Sequence, residues 1–291
     1  MTNTAGFTRT ARLSFRTADT STPNPFTLVP TIDVSRLPIE TIVIRSGNNN
    51  QLRAKFEVRT DVSTNSSPAF VNVYNMSNST AAKIRLTDFI FLEAGYSDTT
   101  QLIYSGRVSR LEHSTKQATR ISEFEMIDNR TLSNVISVSR KGIAPTKEIL
   151  EDIASKVGLG FGSTFRLISP NNIRTNYSFE GTVKDAFTSL ISSQGYHWYE
   201  SLGVIEIKPF DAAKTLTVPL SEQSGLVGVP TITDSGLSVK SLLNPSFRLD
   251  SRVDIQSIVA PEVSGIYKVI TIKHKGDTWG GEWITQLELR R

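Results

Sequence analysis

The sequence predicts a mainly β protein with an α/β insertion, made of two antiparallel β-barrel domains and one small α/β module. Three observations support this fold class. Apolar and polar residues alternate with a period of two from about residue 39 onward, which is typical of half-buried strands. Two amphipathic helical segments interrupt the alternation between residues 145 and 209. The alternation then returns after residue 215. A chain of 291 residues, 38% of them apolar, fits two or three such domains.

The first β segment is predicted over residues 35–140. Ala54, Phe56 and Val58 alternate with charged residues, and four further apolar runs follow at regular spacing up to Met126. Short strands at this spacing favour a closed antiparallel barrel, because closure removes exposed strand edges. Residues 1–34 are rich in Thr, Ser and Pro, so we expect an extended N-terminal arm that becomes ordered against a neighbour.

The insertion is predicted over residues 141–210. Thr146 can cap a helix that ends at Gly158, and Thr182 can cap a second one, with Asp185 three residues later. A hairpin over residues 196–207 completes the predicted α/β module. The apolar faces of the two helices consist of Ile149, Leu150, Ile153 and Val157 in the first, and of Val183, Ala186, Phe187, Leu190 and Ile191 in the second.

Residues 211–291 are predicted to form the second barrel. Its most distinctive element is a glycine-rich hairpin loop over residues 275–281 with Trp279 near its centre. We expect Trp279 to contact a neighbouring subunit, because tryptophan is enriched at the centre of protein interfaces. Asp277 and Asn244 are further candidate interface residues. Sugar binding by Trp279, or by the aromatic cluster at Tyr196, Trp198 and Tyr199, is an alternative.

The composition argues against several function classes. A net charge of +4 is small for the length, and the cations are scattered, so a nucleic-acid surface is not favoured. The chain has no cysteine, which excludes disulfides, thiolate metal sites and a cysteine nucleophile, and fits folding in a reducing cytoplasm. No apolar run reaches the length of about 20 residues that spans a membrane, and the start of the chain lacks the apolar run of a secretory signal.

The three histidines do not form a recognisable site. None has a second histidine or a carboxylate at metal-ligand spacing, so we predict no metal, no cofactor and no catalytic residue. His113 and His274 are predicted at the surface of strands. His197 is predicted to be partly buried among aromatic residues of the module.

Two groups of carboxylates could suggest a cell-wall hydrolase. Glu148, Glu151 and Asp152 share one helix, and Glu123 and Glu125 share one strand face. Glycoside hydrolysis needs two carboxylates across a cleft, whereas neighbours in sequence are usually solvated, so an enzyme is not predicted. The glycine-rich segment at residues 158–162 follows a helix instead of opening one, which argues against a phosphate loop.

The order of several segments resembles the baseplate hub proteins of long-tailed bacteriophages. This family includes the late-control D-like proteins and the hubs of Mu-type contractile tails. The similarity covers residues from about 35 to the end. It is carried by FIFLEAGY at 89–96, LIYSGRV at 102–108, the segments 147–157 and 183–199, LSEQSGLVGVP at 220–230, SLLNP at 241–245, and residues 267–288.

The resemblance implies a structural hub with two tail-tube-like barrels per chain. Three chains would form a pseudo-hexameric ring that joins the hexameric tail tube to a threefold spike, with the genome passing through the ring. Other baseplate proteins and the tape measure are implied partners, and genomic DNA is expected to pass without specific binding. The chain departs from larger hubs in having one clear α/β insertion and no lysozyme domain. The alternatives are a hexameric tail tube or distal tail ring protein and, in another class, a tail-associated cell-wall hydrolase.

Overall fold

The computed structural model confirms a mainly β fold with one small α/β portion. Large antiparallel ladders dominate, and the helices are few and short. The structure describes residues 8–16, 40–47, 52–62, 68–86, 88–127, 130–157, 159–162, 165, 168–169, 171–202, 204–209, 217–234 and 236–291.

The first part of the chain, here the N-terminal β region, forms strands whose alternate residues enter one apolar core. Ala54, Phe56 and Val58 are buried as predicted, while their neighbours point to solvent. Its elements are β1 (Arg9–Arg16), β2 (Glu40–Arg45), β3 (Arg53–Asp61), β4 (Ala69–Tyr74), α1 (Asn78–Ala81), β5 (Phe89–Tyr96), β6 (Thr99–Lys116) and β7 (Thr119–Ile127).

Strand β1 lies within the segment that was predicted to be an extended arm. It pairs with both β2 and β5, and Ala11, Leu13 and Phe15 are fully buried in the core. The alternation of these three residues with polar ones is a strand signal within a Thr-rich and Ser-rich composition. Residues 9–16 are therefore part of the sheet. Residues 1–7 and 17–34 of the predicted arm lie outside the described residues.

The α/β module has its own core, built mainly from the predicted faces of its two longer helices. Thr182 caps α3 as predicted, accepting a hydrogen bond from the Asp185 N–H at 3.1 Å. A ribbon of β8 and β10, which the sequence did not predict, precedes α3. The elements are β8 (Val135–Pro145), α2 (Thr146–Val157), β9 (Gly160–Phe161), β10 (Ile173–Thr182), α3 (Val183–Ser192), β11 (Tyr196–Ser201) and β12 (Val204–Pro209).

The C-terminal β region surrounds a third apolar core. Strand β16 lies between β17 and β13 and pairs in parallel with β13. The strands are β13 (Thr217–Ser221), β14 (Leu226–Thr233), β15 (Gly236–Leu242), β16 (Arg252–Gln256), β17 (Gly265–Asp277) and β18 (Trp283–Arg290).

The two β regions join into one sheet, which differs from two separate closed barrels. Strand β17 is 13 residues long, so its first part pairs with β16 and its second part pairs with β3. The ladders of the described residues run as one open path, β14-β15-β18-β17-β3-β4-β7-β6-β5-β1-β2, and no closed barrel forms. Leu243 and Trp283 consequently belong to the core of the N-terminal β region. The domain boundaries remain predictions, and the one between residues 140 and 141 falls inside β8.

Candidate assembly surfaces

The loop between β17 and β18 presents Trp279 to solvent. Trp279 is 54% exposed, whereas Trp198 and Trp283 are buried. Gly276, at the base of the loop, lies against the rings of Phe56 and Trp283, which leave no space for a Cβ atom. Strand β17 can therefore pass this close to the two aromatic rings only because residue 276 is glycine.

Asp277 holds this loop from inside the chain. Its two carboxylate oxygens accept hydrogen bonds from the Arg53 guanidinium, with Nε–Oδ1 at 2.9 Å. Oδ1 also accepts the backbone N–H of Trp279 at 3.0 Å. Paired donors from arginine fix a carboxylate in orientation as well as position. Asp277 was predicted at an interface; its carboxylate faces Arg53 and orients the loop that carries Trp279.

Further hydrogen bonds tie the loop to β1 and β3. The Arg9 guanidinium donates to the carbonyl oxygens of Asp277 at 3.0 Å and Gly281 at 3.2 Å. The Thr278 N–H donates to the Ala54 carbonyl at 3.0 Å, and the Ala54 N–H donates to the Thr278 hydroxyl at 3.0 Å. A loop held at this many points loses little conformational entropy when a partner binds it. Trp279 is thus an exposed side chain on a pre-organised loop.

Asn244, the third predicted interface residue, lies in the turn that follows β15. Its Oδ1 accepts the Ser246 N–H at 2.9 Å, and its own N–H donates to the Thr285 hydroxyl at 3.0 Å. The residue is half-buried. Its side chain shapes a turn beside β18, whereas Trp279 and Asp277 share the hairpin loop.

Sequence reasoning missed other exposed aliphatic side chains. In an alternating strand, an outward valine or isoleucine resembles a core residue, so the pattern alone does not reveal its exposure. Clusters of such residues mark contact surfaces more often than single ones do. The exposed aliphatic residues of this chain include Val135, Ile143 and Ile173 on the β8–β10 ribbon, Val229 and Ile232 on β14, and Ile258, Val259 and Ile266 near the start of β17.

A buried charge centre joins the α/β module to the C-terminal β region. Asp250 is completely buried in the turn before β16, and Lys208 of β12 places its Nζ 2.5 Å from Asp250 Oδ2. Lys268 of β17 contacts Oδ1, and His197 Nε2 lies 3.7 Å from the same oxygen. Although burial acts to raise it, the neighbouring His197, Lys208 and Lys268 hold the pKa of Asp250 well below its usual range.

Tyr199 completes this centre with an uncharged hydroxyl. It donates to the Leu249 carbonyl oxygen at 3.4 Å, and its ring belongs to the core of the C-terminal β region. Burial raises the pKa of Tyr199, and the charges of Asp250 and Glu206 raise it further. The centre is thus a structural joint in which one carboxylate faces two lysines and a histidine.

The histidines lie in three different environments. His113 is exposed on β6 and His197 is half-buried in the module, as predicted. The surface prediction is wrong for His274, which is 3% exposed, with Nδ1 2.9 Å from the Thr285 hydroxyl. Burial lowers the pKa of His274 to about 3, with a smaller contribution from the charge of Arg248. Its polar neighbours in the sequence point to the other side of β17, and this misled the prediction.

The carboxylate groups lie on outward-facing surfaces. Glu148 and Glu151 are exposed on α2, and Asp152 pairs with Arg140. Glu123 and Glu125 point outward from β7. The glycine-rich segment includes the short strand β9, which pairs in parallel with β12; Gly158 itself lies outside the described residues. A strand at this position argues further against a phosphate loop.

Within the described residues, no group of three or more His, Asp or Glu side chains is placed to hold a metal ion. No helix in the described part of the chain has the length and apolarity that crossing a membrane requires.

Comparison with known proteins identifies a family for most of the chain. Residues 36–277 match the family model described as Baseplate hub gp41. No curated protein matches the chain significantly.

Solved structures share the fold at low sequence identity. The 43 kDa tail protein of prophage MuSo2 from Shewanella oneidensis has a TM-score of 0.63 at 8% identity, covering 86% of this chain and 94% of that protein. A tail protein from Neisseria meningitidis gives 0.58 at 10%, covering 97% and 96%. The E. coli c3393 protein, a type VI secretion component similar in structure to the T4 tail proteins gp27 and gp5, gives 0.55 at 12%, covering 84% and 75%.

Proposed function

Because the chain belongs to the Baseplate hub gp41 family, we propose that it forms the central ring at the tip of a bacteriophage tail. Membership of this family makes it a structural protein of the phage tail, located at the baseplate. The proposal adds the assembly: three chains form a pseudo-hexameric ring through which the genome passes. Assembly would take place in the cytoplasm of the host bacterium.

The single observation that best supports the ring is the ladder between β3 and β17. Through it, one chain contributes two β regions that share a continuous sheet. Three chains would supply six β regions, which matches a hexameric tail tube on one side and a threefold spike on the other. Closed rings form from head-to-tail contacts when the rotation between neighbours closes.

The partners would engage different surfaces of the ring. We assign Trp279 to a contact between subunits or with an adjacent baseplate protein, because hydrogen bonds hold its loop in place and its indole side chain is exposed. Asp277 supports that contact indirectly by holding the loop, and Asn244 would shape the neighbouring turn. The tail tube, the spike and the tape measure would occupy other surfaces.

We also propose that the chain has no catalytic role. The carboxylates that could suggest a cell-wall hydrolase lie on outward-facing surfaces of α2 and β7. The chemistry of glycoside hydrolysis needs an apolar pocket that raises the pKa of one carboxylate beside a second one. Incubation with purified peptidoglycan should therefore release no soluble fragments. Release above the level of a heat-denatured sample would contradict this part of the proposal.

The mass of the purified protein in solution tests the ring. Light scattering over a range of concentrations should give three times the chain mass of 32.1 kDa, or a monomer that converts to a trimer as concentration rises. A stable hexamer would favour the tail-tube or distal-ring alternative. A chain that stays monomeric at every concentration, with or without its tube protein, would contradict the proposal.

A further inference from the structure

One face of the large sheet crosses from the C-terminal to the N-terminal β region without interruption. Opposite residues in successive ladders form a row that starts at Ile284 of β18 and passes through Lys275, Glu57 and Phe70 to Glu125 of β7. We call the outward residues of β18, β17, β3, β4 and β7, with the adjoining residues of β6, the shared face.

The shared face points away from the protein cores. Phe56 and Val58 of β3 alternate with its members and are buried on the other side of the sheet, as is His274 of β17. Several of the largest exposed aliphatic residues lie elsewhere, including Val135, Ile143 and Ile258. Apart from Phe70, which is 47% exposed, the most exposed residues of the shared face are mainly polar and charged, so most of its area suits contact with water.

Lys273 and Lys275 of the shared face are neutralised within the chain by one carboxylate, whereas Lys55 of β3 is exposed. Lys273 Nζ lies 2.5 Å from Glu57 Oε1, and Lys275 Nζ lies 3.6 Å from Glu57 Oε2. Lys275 also lies 3.7 Å from a carboxylate oxygen of Glu282. The hydrogen bond from Lys273 lowers the pKa of Glu57, which keeps this carboxylate ionised.

Three arginines of the shared face are also paired with carboxylates. Arg59 lies 3.7 Å from Asp61, and Arg110 lies 2.7 Å from Glu112. Arg53 is held by Asp277. Tight binding of DNA depends on lysines and arginines that replace the counterions of the phosphates. A cation already paired with a carboxylate releases fewer counterions, so this face should bind DNA weakly despite its many cations.

We propose that the shared face lines the channel of the hub ring, and that its paired charges let duplex DNA slide past without being held. The inference rests on the proposed ring. Both β regions build the face together, so three copies could supply a channel wall with one continuous segment per chain. Glu57 carries most of the expected effect because it compensates two lysines at once.

Spin labels test which way the face points. The chain has no cysteine, so Asn72→Cys on the shared face and Asn171→Cys on the exposed surface of the module each give one labelling site per chain. In a threefold ring, the distance between equivalent labels increases with their distance from the axis. Double electron–electron resonance should therefore give a shorter distance for labels at position 72 than for labels at position 171.

The outcomes separate the ring from the orientation. A trimeric mass with the shorter distance at position 171 would mean that the face points outward, and it would overturn this inference while leaving the ring intact. A monomeric mass with no distance between labels would contradict the ring itself, and the inference would fall with it.

A matched pair of charge variants tests the neutralisation. Glu57→Gln frees Lys273 and Lys275, whereas Glu262→Gln makes the same change in net charge at an exposed site outside the shared face. At about 50 mM salt, Glu57→Gln should bind a labelled short DNA duplex about tenfold more tightly than the unaltered chain and with a steeper salt dependence. Glu262→Gln should stay within about twofold. Equal changes in both variants, or none in Glu57→Gln, would overturn the role of the paired charges.

Discussion

Two aspartates join distant parts of this chain, and they differ in how exposed their cationic partners are. Asp250 is completely buried, and the cations around it include Lys208, which is only 2% exposed. The side chain of Asp277 is 9% exposed, and that of its partner Arg53 is 37% exposed. The first aspartate joins the α/β module to the C-terminal β region, and the second joins the β17–β18 hairpin to β3.

The difference indicates how firmly each junction depends on its charge. An ion in a dry interior cannot be left without its partner, because water does not replace the lost interaction. A pair whose cation is partly exposed is partly screened, and water can take over part of the hydrogen bonding of that cation. We call the contacts of Asp250 the module junction and those of Asp277 the hairpin junction. Removal of the charge should therefore lower the free energy of unfolding strongly at the module junction and moderately at the hairpin junction.

The largest effect is expected from Asp250→Asn. The amide keeps the shape of the side chain and suits the positive φ of 61° at this position, but it leaves Lys208 charged and buried without its anion. We expect the free energy of unfolding to fall by about 3 kcal/mol, as measured by urea denaturation.

Two further variants define what the Asp250 result means. Asp254→Asn, on the neighbouring strand β16, should lower stability by less than about 0.5 kcal/mol because its carboxylate is partly solvated. The double variant Asp250→Asn with Lys208→Met should be more stable than Asp250→Asn alone, because the buried lysine charge is gone. Equal losses in Asp250→Asn and Asp254→Asn would show that burial does not set the strength of this junction.

A second effect comes from His274, which lies on β17 between the two junctions. Burial lowers its pKa to about 3 in the folded protein, whereas the unfolded chain binds a proton at about 6.5. The unfolded state therefore binds more protons below pH 6.5, and stability falls as the pH is lowered. Between pH 7 and pH 5 the loss should be about 2 kcal/mol.

The variant His274→Asn isolates this contribution to the pH dependence. It should remove most of the slope between pH 7 and pH 5 in chemical denaturation, whatever its stability at pH 7. Asp250 does not contribute to the slope between pH 7 and pH 5. Because its pKa is lowered in the folded protein, its contribution to the free energy of unfolding is lost only below about pH 4. Partial burial lowers the pKa of His113 as well, with a smaller contribution from the charge of Arg120, so His113 should account for the smaller slope that remains. An unchanged slope would mean that His274 is protonated without loss of the fold.

A smaller effect is expected from Arg53→Lys at the hairpin junction. Lysine keeps the charge but cannot donate to both carboxylate oxygens of Asp277 in the same plane. We expect a loss of about 1 kcal/mol in the free energy of unfolding, since the pair is partly screened. Arg59→Lys, in a pair 3.7 Å apart and more exposed, is the control and should change stability very little. If Arg53→Lys matched Asp250→Asn, the contrast between the junctions would be lost.

The smallest effect on folding is expected from Trp279→Ala. The side chain is mostly exposed, so stability should change by less than about 0.5 kcal/mol. If the indole ring of Trp279 fills a pocket on a neighbouring subunit, the affinity between subunits should weaken by about tenfold or more. Sedimentation at several concentrations measures this, and Trp279→Phe should retain part of the association. Unchanged association of Trp279→Ala would remove Trp279 from the subunit interface.

Local features of the fold could be predicted from the sequence because their causes are local. The cap at Thr182 and the buried face of α3 depend on residues within three turns of one helix, and both are confirmed. The hairpin of β11 and β12 is confirmed for the same reason. The loop around Trp279 was also predicted, since glycine and aspartate mark a tight connection wherever they occur between strands.

The junctions could not be predicted, because they depend on residues far apart in the chain. Asp277 and Arg53 are 224 residues apart, and the Asp250 centre draws on strands from two parts of the fold. A single sequence gives no signal for such pairs. The burial of His274 was missed because its neighbours in the sequence, Lys273 and Lys275, are charged. Only the pairing of β17 with β18 and β3 places the histidine side chain on the core side of the sheet.

The pairing of β3 with β17 also determines how late during synthesis the large sheet can be completed. Ala54 and Thr278 exchange hydrogen bonds across 224 residues, and the core of the N-terminal β region includes Trp283. A ribosome that has released β1 to β7 has therefore not yet made the strand that completes their sheet. Domains often fold as they emerge, first ones first, but this region must wait for almost the whole chain. Chains cut short before β17 would lack the strand that joins the two β regions into one sheet.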